Sequence, residues 1–130
     1  AGVFVLALTS NPEGATVQAA TGPDGLTVTE HLLARVRAEN DRQAPWGSVG
    51  AVVGATTQTA PDGLDIGGPL LAPGLGAQGA TPADLPALFA GVLEHVYPVA
   101  ARQVLQAGPA VRALRAACAS LNDACRAVLA

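Results

Sequence analysis

Short apolar runs alternate with polar and helix-patterned segments along the whole chain. The apolar runs are Gly2–Leu8, Ser48–Gly54, Pro69–Ala72 and His95–Val99. Continuous apolar runs of this length are typical of strands that are buried on both faces of a sheet. A helix-patterned or irregular segment follows each run, in units of about 30 residues, and this alternation predicts a parallel α/β sheet.

The segments between the runs carry recognisable helix signals. Thr27 and Glu30 have the spacing of a capping box, and an apolar stripe follows before Pro45 ends the helix. A second helix is predicted from about Pro82 to Glu94. A final helix opens near Pro109, with its apolar residues at helical spacing. The Pro- and Gly-rich connection over 57–68 predicts a short helix or none.

Two architectures agree with four strand-helix units: an open doubly wound sheet and a (β/α)8 barrel. Polar residues stand at the carboxyl end of every predicted strand, and they are Ser10, Thr56, Gln78 and Arg102. A barrel collects its site from several strand ends at one face, so this pattern favours the barrel. A complete barrel takes about 250 residues, so four units would form half of one.

A glycine-rich loop follows the third predicted strand. Gly74, Gly76 and Gly79 precede a predicted helix start at residues 81–84, which is typical of an anion-binding loop. The same glycines fit the spacing G-x-G-x-x-G of dinucleotide-binding folds. However, Glu94 precedes the next strand instead of following it, which argues against a dinucleotide. A glycine-rich turn without a ligand remains an alternative.

Composition narrows the classes of function. The chain has 130 residues, half of them apolar, which suits one domain with a sizeable core. A net charge of −3, no lysine and four aromatic residues argue against nucleic-acid binding. The longest apolar run, over residues 1–8, is far shorter than the roughly 18 residues of a membrane span, and no basic segment precedes it. We therefore expect a soluble, cytoplasmic protein that does not bind membranes.

The remaining reactive side chains do not predict a metal site. Cys118 and Cys125 are too far apart on a helix, at about 10 Å, for a disulfide, and we expect both to be buried, reduced thiols. His31 and His95 are isolated from them in sequence and are expected to be structural. Glu13 is expected to be a solvated loop carboxylate and not an acid-base group.

Four segments, in this order, carry a resemblance to a known family. They are residues 4–15 (FVLALTSNPEGA), 50–56 (GAVVGAT), 71–81 (LAPGLGAQGAT) and 102–109 (RQVLQAGP). Together they resemble orotidine 5'-phosphate decarboxylases, in the branch common in high-GC actinobacteria. The resemblance covers essentially the whole chain.

The resemblance implies a phosphate-binding (β/α)8 barrel that converts orotidine 5'-monophosphate to UMP and carbon dioxide without a cofactor or metal. In the family, a lysine and aspartates on the early strands drive decarboxylation. Because this chain has no lysine, residues 1–130 should form strands five to eight, the carboxyl-terminal half of one barrel domain without an internal boundary. This half would contain no catalytic residue and would be inactive alone.

The resemblance also assigns site residues. Ser10 matches the serine that hydrogen-bonds the pyrimidine, Gln78 the amide that closes over the nucleotide and contacts phosphate, and Arg102 the phosphate-binding arginine. Backbone amides near Gly79 and Ala101 would complete the phosphate cradle. Ala101 stands where the family usually has a serine, which removes one possible hydroxyl donor.

Two other functions remain open from the sequence. One is a non-catalytic half-barrel that binds a phosphorylated ligand, and the other is a sugar-phosphate decarboxylase or synthase of the same superfamily. In every case a half-barrel leaves unpaired strand edges and an exposed apolar interior. We therefore expect a homodimer or association with the missing amino-terminal half-barrel.

Overall fold

The computed structural model describes residues 1–57 and 59–129, and its centre is a four-stranded parallel sheet in the order β1-β2-β3-β4. The strands are β1 (Val3–Leu8), β2 (Val49–Val53), β3 (Leu70–Pro73) and β4 (Val96–Val99). All three strand pairs are parallel. The four predicted strands and the α/β class are confirmed. The strictly sequential strand order is that of an arc of a barrel, since a doubly wound sheet reverses its order at a switch point.

Within the described residues, five α-helices connect and flank the strands. They are α1 (Pro12–Gln18), α2 (Val28–Asn40), α3 (Leu85–Leu88), α4 (Arg102–Leu105) and α5 (Val111–Leu129). The predicted capping box starts α2: the Thr27 hydroxyl accepts from the Glu30 backbone N–H at 3.2 Å, and the Glu30 carboxylate accepts from the Thr27 N–H at 2.7 Å.

Two connections differ from the sequence prediction, and the described part of a third agrees with it. The helix expected from Pro82 to Glu94 is wrong in length, because α3 is one turn long between two 3-10 turns, and Gly91, at φ +81°, then takes a conformation that a helix cannot contain. Helix α1 was not predicted. It starts at Pro12, whose ring suits the first helical position. No helix forms over residues 59–68, and residue 58 of that connection lies outside the described residues.

The helices cover one face of the sheet and leave the other open. The covered face holds the largest fully buried apolar side chains, which are Phe89, Leu33, Ile66, Leu70, Leu85 and Val53. On the opposite face the strand register aligns Leu6, Val52, Leu71 and Tyr97 in one row. At the ends of that row Leu6 is 68% exposed and Tyr97 is 51% exposed. The chain thus completes one apolar core and carries half of a second.

The two cysteines differ in burial, and the two histidines make different contacts. Cys125 is buried as expected, and burial raises the pKa of its thiol. The expectation for Cys118 is wrong: tertiary packing leaves it exposed, although a seven-residue spacing places both on nearly the same side of α5. His31 pairs with Asp24 on the surface at 3.1 Å, and the His95 ring packs edge-on against Trp46.

Candidate ligand-binding site

The carboxyl edge of the sheet brings three of the predicted side chains together. Ser10 follows β1, Gln78 lies in the loop after β3, and Arg102 follows β4. Parallel strands end at the same edge, so residues 92 positions apart in sequence become neighbours in one region. All three side chains are exposed.

These side chains line two adjoining pockets, one at Ser10 and one at Arg102. The Ser10 pocket, of about 230 Å³, is lined by Leu6, Val52, Gly54, Pro73 and the polar residues of the loop after β1. The Arg102 pocket, of about 170 Å³, lies between the loop after β3 and the end of β4. Pro73 and Gln78 line both pockets. Gln78 therefore lies where a ligand that spans the two pockets would pass.

The two pockets differ in chemistry. The Ser10 pocket has an apolar floor made by side chains of the open sheet face, with hydroxyl and amide groups at its rim. A flat ring with polar edges fits such a combination. The Arg102 pocket has one guanidinium at its mouth. Among the described residues Arg102 has no carboxylate within ion-pair distance, so its donors remain available to an anion.

The glycine loop after β3 is closed by its own backbone. The Gly76 N–H donates to the Ala80 carbonyl at 2.8 Å, and the Gly79 N–H donates to the Gly76 carbonyl at 2.8 Å. Gly76 has φ +73°, and a Cβ there would lie 2.1 Å from Gln103 Oε1, so the loop can approach α4 only without a side chain. Because the Gly79 amide is already bonded, a ligand would have to replace that bond to use it.

Two carboxylates near the edge are held in their ionised form. The backbone N–H and the hydroxyl of Thr81 donate to Asp84, and they lower the pKa of its carboxyl. The pKa of Glu13 is lowered by its own backbone N–H and by the Asn11 amide. Both groups are exposed, and neither is a proton donor near neutral pH.

Two features of the site could not be found from local patterns. The Gln18 side chain folds back from the end of α1 onto Thr9, directly before Ser10. The Thr56 hydroxyl is buried without a hydrogen-bond partner among the described residues, and its methyl group lies 3.1 Å from the position of a Cβ on Gly74. A polar residue at a strand end was the only signal for Thr56, and nothing in the sequence pointed to Gln18.

Neither a metal site nor a membrane span is found in the described part of the chain. Over residues 1–57 and 59–129, His, Cys, Asp and Glu form no group of three that could hold a metal ion. In the same ranges no helix is long and apolar enough to cross a bilayer.

Comparison with known proteins gives one consistent family. The family model described as "Orotidine 5'-phosphate decarboxylase / HUMPS family" matches residues 1–117. The orotidine 5'-phosphate decarboxylase of Streptomyces coelicolor is 58% identical over 118 residues, which are 90% of this chain and 42% of that protein. The enzyme of the same name from Salinispora arenicola is 54% identical over 98% of this chain and 46% of its own length.

Solved structures agree with these relatives. A crystal structure of a Streptomyces avermitilis protein described as an orotidine 5'-phosphate decarboxylase matches 99% of this chain and 46% of that chain, with a TM-score of 0.91 and 54% identity. Leishmania donovani UMP synthase, at 24% identity and a TM-score of 0.67, shares the fold over 98% of this chain and 28% of its own. The chain spans about half the length of the curated relatives it matches. It belongs to the orotidine 5'-phosphate decarboxylase / HUMPS family and carries the carboxyl-terminal half of that fold.

Proposed function

We propose that residues 1–130 are the ligand-binding half of an orotidine 5'-phosphate decarboxylase, which converts orotidine 5'-monophosphate to UMP and carbon dioxide. In this proposal Ser10 contacts the pyrimidine, while Gln78 and Arg102 contact the phosphate. Backbone amides at Ala101 and Gly79 complete the phosphate cradle, with the phosphate replacing the bond from the Gly79 N–H to the Gly76 carbonyl. The relatives' shared name and the family match support this assignment.

The position of Gln78 between two chemically different pockets carries the proposal. A nucleoside monophosphate has a flat heterocycle at one end and a dianion at the other. The Ser10 pocket offers an apolar floor with a polar rim, and the Arg102 pocket offers a guanidinium that has no ion-pair partner within residues 1–57 and 59–129. The planar fork of arginine suits bidentate recognition of phosphate. Gln78, which lines both pockets, can contact a ligand that occupies both.

The division of labour between the two half-barrels follows from the residue types. Decarboxylation breaks the bond between C6 and the carboxylate carbon, carbon dioxide leaves, and the electron pair that stays on C6 takes up a proton. The family's lysine supplies that proton, and this chain has no lysine. The amino-terminal half must therefore supply the lysine and aspartates. Residues 1–130, one undivided half-domain, hold the substrate but are inactive alone.

The open sheet face indicates how this half is used. Leu6 and Tyr97 lie at the two edges of an apolar row that water would otherwise contact, together with two strand edges. The amino-terminal half-barrel covers this face in the complete enzyme, which acts in the cytoplasm as a homodimer. Sedimentation of the full-length protein should give twice the monomer mass, and a stable monomer would contradict the dimer.

Decarboxylation and ligand binding test the function together. The full-length chain should convert orotidine 5'-monophosphate to UMP, which is followed as a decrease in absorbance, whereas residues 1–130 alone should cause no decrease. By calorimetry the full-length chain should bind UMP more tightly than pentulose or hexulose phosphates. Tighter binding of a sugar phosphate would support the sugar-phosphate enzyme instead. Binding of UMP by the full-length chain without decarboxylation would support a non-catalytic binding protein.

A further inference from the structure

The loop that presents Ser10 is held from behind by one side chain. Gln18, the last residue of α1, donates from Nε2 to the Thr9 hydroxyl oxygen at 2.7 Å. Its Oε1 accepts from the Thr9 backbone N–H at 3.3 Å. A single amide thus bonds both the backbone N–H and the hydroxyl of the residue before Ser10. In turn the Thr9 hydroxyl donates to the Asn11 side-chain oxygen, so both neighbours of Ser10 are tied into the same network.

A glycine inside α1 makes room for this arrangement. A Cβ at Gly14 would lie 2.7 Å from Gln18 Nε2 and 3.1 Å from Asn11 Oδ1. Glycine in a helix costs about 1 kcal/mol relative to alanine, so helix propensity does not explain its presence. The path of the Gln18 amide does explain it. Without a side chain at position 14, the amide can return from the end of α1 to the start of the loop.

The anchor of Gln18 is itself fixed to the sheet. The buried Thr29 hydroxyl lies 3.1 Å from the Ala7 carbonyl of β1 and 3.2 Å from the Gln18 carbonyl. The backbone at Gln18 is therefore held against β1, the strand that Ser10 follows. A chain of contacts runs from β1 through Thr29 and Gln18 back to Thr9.

We propose that Gln18 is a positioning residue for the pyrimidine contact. Its amide fixes Thr9 and thereby sets the direction in which Ser10 presents its hydroxyl to the Ser10 pocket. This inference rests on the proposed function, because it assumes that Ser10 contacts the base. Gln18 does not line the Ser10 pocket. It lines, with Thr9 and Ser10, a larger neighbouring cavity of about 660 Å³ beside α1, and we infer that its effect on the Ser10 pocket passes through the backbone of the loop. It has no role toward the phosphate, which Gln78 and Arg102 bind.

The test compares a ligand that has the base with one that lacks it, in the full-length chain. Gln18→Leu keeps an apolar branched side chain that is one atom shorter, and it removes both polar atoms. UMP binding should weaken roughly threefold to twelvefold, which lies within the range for the loss of one neutral hydrogen bond. Ribose 5-phosphate binding should change less than about twofold, within the usual effect of a surface substitution. Thr16→Ala, an exposed change in the same helix, should alter neither affinity.

A double-mutant cycle decides whether Gln18 acts through Ser10. In a Ser10→Ala background, Gln18→Leu should cause no further loss of UMP affinity. Gly14→Ala, which displaces the amide while Gln18 is retained, should reproduce the selective loss for UMP. Equal weakening of both ligands, no change for either, or full additivity with Ser10→Ala would overturn the inference.

The outcome is separable from a failure of the proposed function. If the unaltered protein binds UMP no better than ribose 5-phosphate, the pyrimidine contact is wrong, and the role of Gln18 falls with it. If the unaltered protein prefers UMP and Gln18→Leu keeps that preference, the proposed function stands and only the positioning role is wrong.

Discussion

The two edges of the sheet use polar side chains in opposite ways. At the amino edge, the Asn40 amide is 2% exposed and makes three hydrogen bonds to backbone. It donates to the carbonyls of Val49 and Ile66 at 2.7 and 2.8 Å, and it accepts from the Val49 N–H at 3.1 Å. At the carboxyl edge, Ser10 and Arg102 are exposed and line open pockets.

This difference separates stability from binding within one short sheet. A buried amide whose two N–H groups and oxygen are all bonded to backbone joins α2 to the start of β2 and to the segment before β3, and it presents no group to a ligand. Exposed polar groups at the other edge add little to folding and keep their donors and acceptors available. Barrel enzymes generally bind at the carboxyl edge and are stabilised at the amino edge. Four substitutions or pH changes can break or sharpen this contrast.

Removal of the amino-edge amide should have the largest effect. Asn40→Ala leaves two carbonyls and one N–H without their partner, and we expect the free energy of unfolding to fall by about 3 kcal/mol. Urea denaturation of the full-length chain measures it. Glu39→Ala, an exposed change in the same helix, is the control. UMP affinity per folded molecule should be unchanged, and a selective loss of affinity would break the contrast between the edges.

Removal of the Arg102 guanidinium at the carboxyl edge should lower ligand affinity and leave the free energy of unfolding almost unchanged. Arg102→Ala should weaken UMP binding about tenfold to a hundredfold, the range for a lost charge-assisted hydrogen bond. Unfolding free energy should change by less than about 0.5 kcal/mol, because the side chain is exposed. Arg102→Lys should give an intermediate affinity, and Arg112→Ala on α5 should have no effect on binding. A large stability loss in Arg102→Ala would contradict the assignment.

The glycine loop is the part of the carboxyl edge where structure and binding are linked. Gly76→Ala must hold a side chain at φ +73° and displace Gln103, so we expect a stability loss of about 1–2 kcal/mol. Gly79 also has a positive φ, of 103°, but a Cβ there would meet no atom within 4 Å. We therefore expect Gly79→Ala to lower the stability of the protein less than Gly76→Ala does. Thermal unfolding of both variants measures the difference. Equal losses would mean that contact with α4 does not shape the loop.

The smallest effect concerns the pH dependence of stability. The folded pKa of Asp84 is lowered by Thr81, so its stabilising contribution is present above the usual value of 3.8 and is lost as the pH falls through the folded pKa. Because the pair is exposed, the effect is small and solvent-screened. Melting temperatures measured between about pH 5 and pH 2 should fall less steeply for Asp84→Asn than for the unaltered chain. If the melting temperature depends on pH equally in both proteins, the contacts between Asp84 and Thr81 do not stabilise the loop.

Much of the scaffold was accessible from the sequence because its signals are local. Four apolar runs gave four strands, and the Thr27 to Glu30 spacing gave the start of α2. The predictions failed where tertiary contacts override local pattern. The helix expected up to Glu94 ends at Leu88, before the positive φ of Gly91, and Cys118 is exposed although Cys125, on nearly the same side of α5, is buried. The residues predicted for the site were found from strand ends, and their roles remain proposals.

The sequence by itself determined the four strands and their order along the chain, the capping box that starts α2, the glycine loop and the family. These depend on residue types at short spacings, which the chain carries wherever it folds. Only the tertiary structure decided that Gln18 reaches Thr9, that Asn40 bonds three backbone groups, and that Gln78 lies between two pockets. Such contacts join residues whose separation in sequence has no fixed period. They exist because packing of the helices on the sheet brings the two ends of each contact within bonding distance.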